Sequence, residues 1–229
     1  MVYGIDGCKG GWIAVGRNTA SEKISIHLLT SIDDIQELNA EVVAIDIPIG
    51  LPDAGPRPCD VLARQRLGKR RSSVFPAPLR GLLSAQTYQE ACEIRQAVDG
   101  RKISLQTYNI LGKIREVDNL LQRRSDLHQV AFEVHPEVSF YAINGNIPIE
   151  SGKKKKAGQS ERLCLLVNHF GVQVETLLER RREFACQTDD LLDACAALWT
   201  AERILCGTHE ELPAIPVYDA AGLPMRIVF

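Results

Sequence analysis

The segment 2–16, Val-Tyr-Gly-Ile-Asp6-Gly-Cys-Lys-Gly-Gly-Trp-Ile-Ala-Val-Gly, constrains the fold more than any other stretch of this chain. Two apolar runs flank Gly7, Gly10 and Gly11, and glycine admits the positive φ that a tight reversal requires. The second run, 12–15, is strand-like rather than helix-periodic, so the pair reads as a hairpin and not as a βα unit. A dinucleotide fingerprint needs its glycines to open a helix in the spacing G-x-G-x-x-G, and that spacing is absent. What remains is Asp6 on a rigid strand beside an uncovered turn, a place suited to a metal ligand.

The run 23–30 alternates Ile24, Ile26 and Leu28 against Lys23, Ser25 and His27, which predicts a third, half-buried antiparallel strand. Ser31 is expected to cap a short helix through Leu38, with Asp33 and Asp34 in its first turn. Val42–Ile45 is continuously apolar, as in a central strand covered on both faces, and a right-handed crossover sets it parallel to the first strand. Both strands then end in an aspartate, Asp6 and Asp46, at one edge of the sheet; Pro48 and Pro52 stop the second just beyond. Either aspartate alone reads as a turn residue or a cap. Two at matching ends of neighbouring strands repel unless a cation neutralises them.

From 54 to 126 the chain turns helical and basic, and we read this stretch as a helical insertion covering the acidic edge within one domain spanning 1–229. Helices are expected over Pro58–Leu67, with Asp60 paired to Arg64, and over 87–98 and 104–124. Between them lies a Pro-stiffened loop, 72–78, with Phe75 either exposed or tucked under a lid. The run 129–134 is again strand-like, and Glu133 inside it requires a metal or a basic partner. His135 fits three roles: ligand, proton shuttle or structural histidine. Residues 139–143 read as a short continuation of the strand. Lys153, Lys154, Lys155 and Lys156 form a cationic loop, serving solubility or phosphate contact. A helix over 158–170 follows.

Thr188–Leu205 is the strongest helix, with Thr188 as its cap and a stripe of Leu191, Cys195, Leu198 and Leu205. Asp189, Asp190 and Asp193 share a face. The helix dipole accounts for the first two; Asp193 begins the second turn among small residues that allow close approach to the sheet. The tail, 215–229, reads as a peripheral hairpin.

A chain of 229 residues buries a full core without disulfides, and 45% hydrophobic with 24% charged residues is ordinary for a soluble protein. The net charge of −2 carries no global nucleic-acid signal, so any basic footprint is local. Seven cysteines with no C-x-x-C pair argue against a disulfide framework or a zinc site and for a reducing compartment. With neither a signal peptide nor a membrane-length apolar run, a cytoplasmic protein without membrane contact is expected.

Three antiparallel strands, a helix, parallel strands and a late helix resemble the RNase H-like fold, an α/β mixed sheet with flanking helices. Asp190-Leu-Leu-Asp193-Ala resembles the late-helix pair of Holliday junction resolvases. Over nearly its full length the chain resembles domain-of-unknown-function 429, a family described as predicted RNase H-like nucleases. The motifs that carry this resemblance are Ile5-Asp-Gly-Cys-Lys-Gly-Gly-Trp12, Asp46-Ile-Pro-Ile-Gly-Leu51, Arg57 with Cys59-Asp60 and Ala63-Arg64, Ser73-Val-Phe75, Glu133-Val-His-Pro-Glu137 and Asp189-Asp-Leu-Leu-Asp-Ala194.

The resemblance implies nucleic-acid hydrolysis at a carboxylate site holding two Mg²⁺ or Mn²⁺ ions roughly 3.5–4 Å apart. Asp6, Asp46, Asp190 and Asp193 are its ligands and Glu133 a fifth catalytic candidate; such hard cations take oxygen donors. Lys9, Arg57, Arg64 and Lys153 through Lys156 would hold phosphates. Two other classes stay open. One is an actin-like or sugar-kinase phosphotransferase, whose first strand also ends in Asp before a Gly-rich hairpin. The other is a nucleic-acid-binding module without turnover. The nucleic acid's type and the oligomeric state, monomer or homodimer, stay open as well.

Overall fold

The computed structural model describes residues 1–229. The hairpin is present: β1 (Val2–Cys8) pairs antiparallel with β2 (Gly11–Arg17), which pairs antiparallel with β3 (Ile24–Leu29). A 3₁₀ helix, Ile32–Leu38, follows; Ser31 caps it and Asp34 closes a capping box. Then comes β4 (Val42–Ile45), parallel to β1 in the register Ile5↔Ile45. Next are α1 (Pro58–Leu67), α2 (Tyr88–Asp99), α3 (Leu105–Arg123) and β5 (Ala131–Glu133). They lead to α4 (Pro136–Ile143), α5 (Lys156–Phe170), α6 (Gln173–Arg180), α7 (Thr188–Leu205) and the hairpin β6 (Glu211–Tyr218) with β7 (Pro224–Val228). The main sheet runs β3-β2-β1-β4-β5, with β5 parallel to β4. This five-stranded mixed sheet with flanking helices is compatible with an RNase H-like fold.

Because side chains alternate across a strand, β1 serves two cores. Val2, with Ile13, Val15 and Ala44, faces Leu191, Ala194, Cys195 and Leu198 of α7. Tyr3 and Ile5, with Trp12, Ala14 and Val43, face Ile114, Val117, Leu120 and Leu121 of α3. So α3 does more than overhang the acidic edge: it supplies the second layer of the sandwich. All four residues of β4 are buried, as a strand covered on both faces must be.

Helix α7 is no amphipathic stripe. Leu191 through Ala201 are buried without a break, whereas Leu205 is exposed. The close approach rests on Gly4 in β1, where an added Cβ would lie 2.0 Å from the Leu198 nitrogen and 2.2 Å from the Ala194 oxygen. The helix is capped by Gln187, not Thr188, in a capping box with Asp190. Residues 139–143 do not continue β5: Pro136 at the first helical position starts α4 there. Nor is the tail peripheral, because Val228 bridges to Val134, Phe229 is fully buried, and the Asp219 carboxylate accepts from the Leu51 N–H.

Candidate metal centre

The register Ile5↔Ile45 makes Asp6 and Asp46 the next residues where the parallel pairing of β1 and β4 stops, and the Asp46 N–H donates to the Ile5 carbonyl. The first strand does not end at Asp6 as expected: pairing with β2 carries it on to Cys8. Helix α7, seated on Gly4, brings Asp193 over the same edge. Asp6, Asp46 and Asp193 each present a carboxylate oxygen, and these oxygens lie within 4.8 Å of one another. Asp193 is buried, whereas Asp6 and Asp46 are partly covered. They form the floor of a cleft of about 680 Å³, walled by Arg70, Ser72, Ser73, Phe75, Gln106, Lys113, His135, Glu137 and Lys153 to Lys155.

Crowding and burial show in the proton affinities. Asp6 is lifted well above the ordinary carboxylate range by burial first and then by Asp46 and Asp193. Burial pushes Asp46 up to about 6, with the Lys153 ammonium opposing and Glu137 adding to it. Asp193 also reaches about 6, through burial and the Asp46 charge, against the pull of Lys153. An unfolded aspartate titrates near ~3.9. The folded chain therefore binds more protons between about pH 4 and 6, so these groups stabilise it most at acid pH and lose that contribution as pH rises through about 6.

A divalent ion needs the ionised forms, which gives the opposite trend for binding. Calorimetric titration of Mn²⁺ should give an association constant that falls about tenfold per pH unit per carboxylate below about pH 6, where Asp46 and Asp193 take up protons. Equal affinity at pH 5 and pH 7.5 would contradict the assignment.

Three carboxylates without nitrogen or sulfur donors match a hard cation such as Mg²⁺ or Mn²⁺. The structure does not bring Asp190 into this group. Its carboxylate accepts from the Gln187 N–H at 2.8 Å as part of the helix cap, and Asp189 rather than Asp190 lines the cleft.

Glu133 also stands apart. It accepts from Arg57 Nη1 and Nη2 at 2.7 Å each and from the Ile49 N–H at 2.6 Å, so its need for a partner is met by arginine and not by a metal. Arg57 is correspondingly 2% exposed and cannot reach a phosphate. It also binds Asp60 at 2.6 Å and the Ile49 and Gly50 carbonyls. The expected Asp60–Arg64 pair is thus replaced by Asp60–Arg57, and Arg64 donates to the Val74 carbonyl at 2.6 Å, in a separate groove with Arg71.

Replacing Arg57 by Met strands two buried carboxylates, and about 3–5 kcal/mol of stability should be lost in urea unfolding. A loss below about 1 kcal/mol would mean that the network is dispensable.

Of the other expected phosphate contacts, Lys153, Lys154 and Lys155 line the cleft; Lys9 and Lys156 are exposed outside it. Sequence reasoning missed Lys113 and Gln106; Arg70, which also lines the cleft, entered it only as part of the basic stretch 54–126. Lys113 donates to the Gly11 carbonyl at 2.6 Å and sits 4.3 Å from the centre of the Trp12 ring. Its only sequence signal is its place one residue from the buried Ile114 on α3. Phe75 is exposed at the cleft. Glu137, left unassigned by the sequence, is buried against Arg162 at 2.7 Å. His135 lies in the cleft wall with burial holding its pKa below the usual histidine value and with Nδ1 unpartnered.

Residues 4–217 match the profile of a family described as a protein of unknown function, DUF429. The chain belongs to the DUF429 family. No curated protein and no solved structure matches it significantly. In this DUF429 chain the matched region contains all three carboxylates and every cleft-lining residue named above. None of its helices is long and apolar enough to cross a membrane.

Proposed function

We propose that this protein is a divalent-metal-dependent nuclease that hydrolyses phosphodiester bonds of a nucleic acid. The observation that carries the reading is the meeting of Asp6 of β1, Asp46 just after β4 and Asp193 of α7 at the floor of a cleft with cationic walls. Asp6, Asp46 and Asp193 would hold Mg²⁺ or Mn²⁺. When bound there, such an ion supplies Lewis-acid polarisation of a phosphoryl oxygen and a nucleophile available at neutral pH.

The chain's own groups supply the remainder. Lys113, Arg70, Lys154 and Lys155 place positive charge on the cleft walls, where phosphate oxygens would lie. The exposed Phe75 ring offers a face on which a base can stack. His135 lines the same cleft as a histidine whose pKa burial holds below the usual value.

The test is incubation with Mn²⁺ and a panel of single-stranded, duplex, hybrid and branched DNA and RNA, with EDTA controls. Cleavage of at least one substrate that EDTA abolishes is the expected result. No cleavage across the panel would overturn the reading, and stabilisation by MgATP but not by nucleic acid would favour a phosphotransferase.

A further inference from the structure

Three carboxylates within 4.8 Å of one another need positive charge, and among the ion pairs of this chain one reaches them. Lys153 Nζ lies 2.5 Å from Asp193 Oδ2. Neither Asp6 nor Asp46 has an ion-pair partner of its own, and the Lys153 charge acts on both. The ammonium thus stands in the neighbourhood that a metal ion would need.

Its attachment differs from that of the arginines that lock other buried carboxylates. Arg57 makes six hydrogen bonds at 2% side-chain exposure. Arg162 makes three at 1%. Lys153 makes a single hydrogen bond at 41% exposure, from the loop between α4 and α5 that begins at Asn144. A lysine head group is a point charge on a flexible stem with three donors and no fork to fix it. Lys153 can leave Asp193 by side-chain rotation alone, and the open cleft lined by Lys154 and Lys155 gives it room.

We propose that Lys153 is a displaceable internal counter-ion of the carboxylate triad, competing with the divalent cation for Asp193. This rests on the metal-site reading above and adds regulation to it. Without metal the ammonium neutralises part of the triad and keeps the site assembled. Metal binding then requires its release into the cleft, so the site fills only when divalent-ion concentration is high enough to displace the internal cation.

The test is calorimetric titration of Mn²⁺ into the full chain at pH 7.5, comparing wild type with Lys153→Met, Lys153→Gln and Lys153→Arg. The two neutral variants should bind Mn²⁺ about tenfold tighter or more, about 1.4 kcal/mol. Lys153→Arg, which retains the competing charge, should stay within about threefold of wild type. Thermal unfolding gives an independent readout. The neutral variants should melt below wild type in EDTA and gain more from added Mn²⁺, because the triad loses its counter-ion. Wild type binding Mn²⁺ with Lys153→Met and Lys153→Gln equal or weaker would overturn this inference and leave the metal site standing. No Mn²⁺ binding by any of the proteins would overturn both.

Discussion

Asp6→Asn should lose metal-dependent cleavage by about a thousandfold in kcat, roughly 4 kcal/mol of transition-state stabilisation, while the metal-free protein melts no lower than wild type. The two halves of this expectation have one cause. Asp6 sits within 4.8 Å of Asp46 and Asp193, and burial with those neighbouring charges holds its carboxyl well above the ordinary range. An amide of the same shape removes that repulsion but leaves a poor ligand for a hard cation.

In wild type, Mn²⁺ at about 100 times its Kd should add ~2.7 kcal/mol, or about 5–10 °C in melting temperature for a chain of this size. In Asp6→Asn that increment should vanish. Cleavage at the wild-type rate, or an undiminished Mn²⁺ shift, would remove Asp6 from the site. A variant that simply failed to fold would show instead a lower melting temperature in EDTA, so the combination separates a lost ligand from a lost structure.

Gly4→Ala should be the most damaging single methyl group in the molecule. The new Cβ would fall 2.0 Å from the Leu198 nitrogen, 2.2 Å from the Ala194 oxygen and 2.6 Å from the Ala197 carbonyl carbon. All three are backbone atoms of a buried helix, so no side chain can rotate away. Either α7 lifts off β1 or the strand bends, and a cost of about 3 kcal/mol or more in urea unfolding is expected, at the upper end for overpacking.

Lifting α7 also moves Asp193 away from Asp6, so Mn²⁺ affinity should fall although residue 4 touches no ligand. Gly112→Ala in the exposed interior of α3 is the control. Nothing lies within 4 Å of its added Cβ, and the change should stabilise by about 0.5–1 kcal/mol through helix propensity. Equal effects at the two glycines would mean that the contact of α7 with β1 does not govern stability.

Much of this was legible beforehand because periodicity reports burial locally. Gly10 and Gly11 marked the reversal, although of the three expected glycines only Gly11 takes a positive φ and Gly7 is paired inside β1. Alternation in 23–30 marked β3, and the unbroken apolar run of β4 marked a strand covered twice. The misreadings came where a distant partner decided the outcome. Residues 139–143 read as a continuation of the strand, yet they belong to a helix whose first residue is Pro136. Asp60 looked like a helical partner for Arg64, yet the buried Arg57–Glu133 network captured it. Asp190 sat in the right three-residue spacing with Asp193, but its place at the helix start gave it to the cap.

The sequence alone placed one aspartate on the first apolar strand, one just after a second, and a third in the second turn of a long helix with small neighbours; that β1 runs past Asp6 to Cys8 came from its pairing with β2. Strand ends and helix turns follow from short-range chemistry. Tertiary structure decided which carboxylates converge, which are locked by arginine, and that Lys153 faces Asp193. Those outcomes depend on how closely α7 approaches Gly4 and on which guanidinium reaches Glu133, distances between residues up to about 190 positions apart that local patterning does not encode.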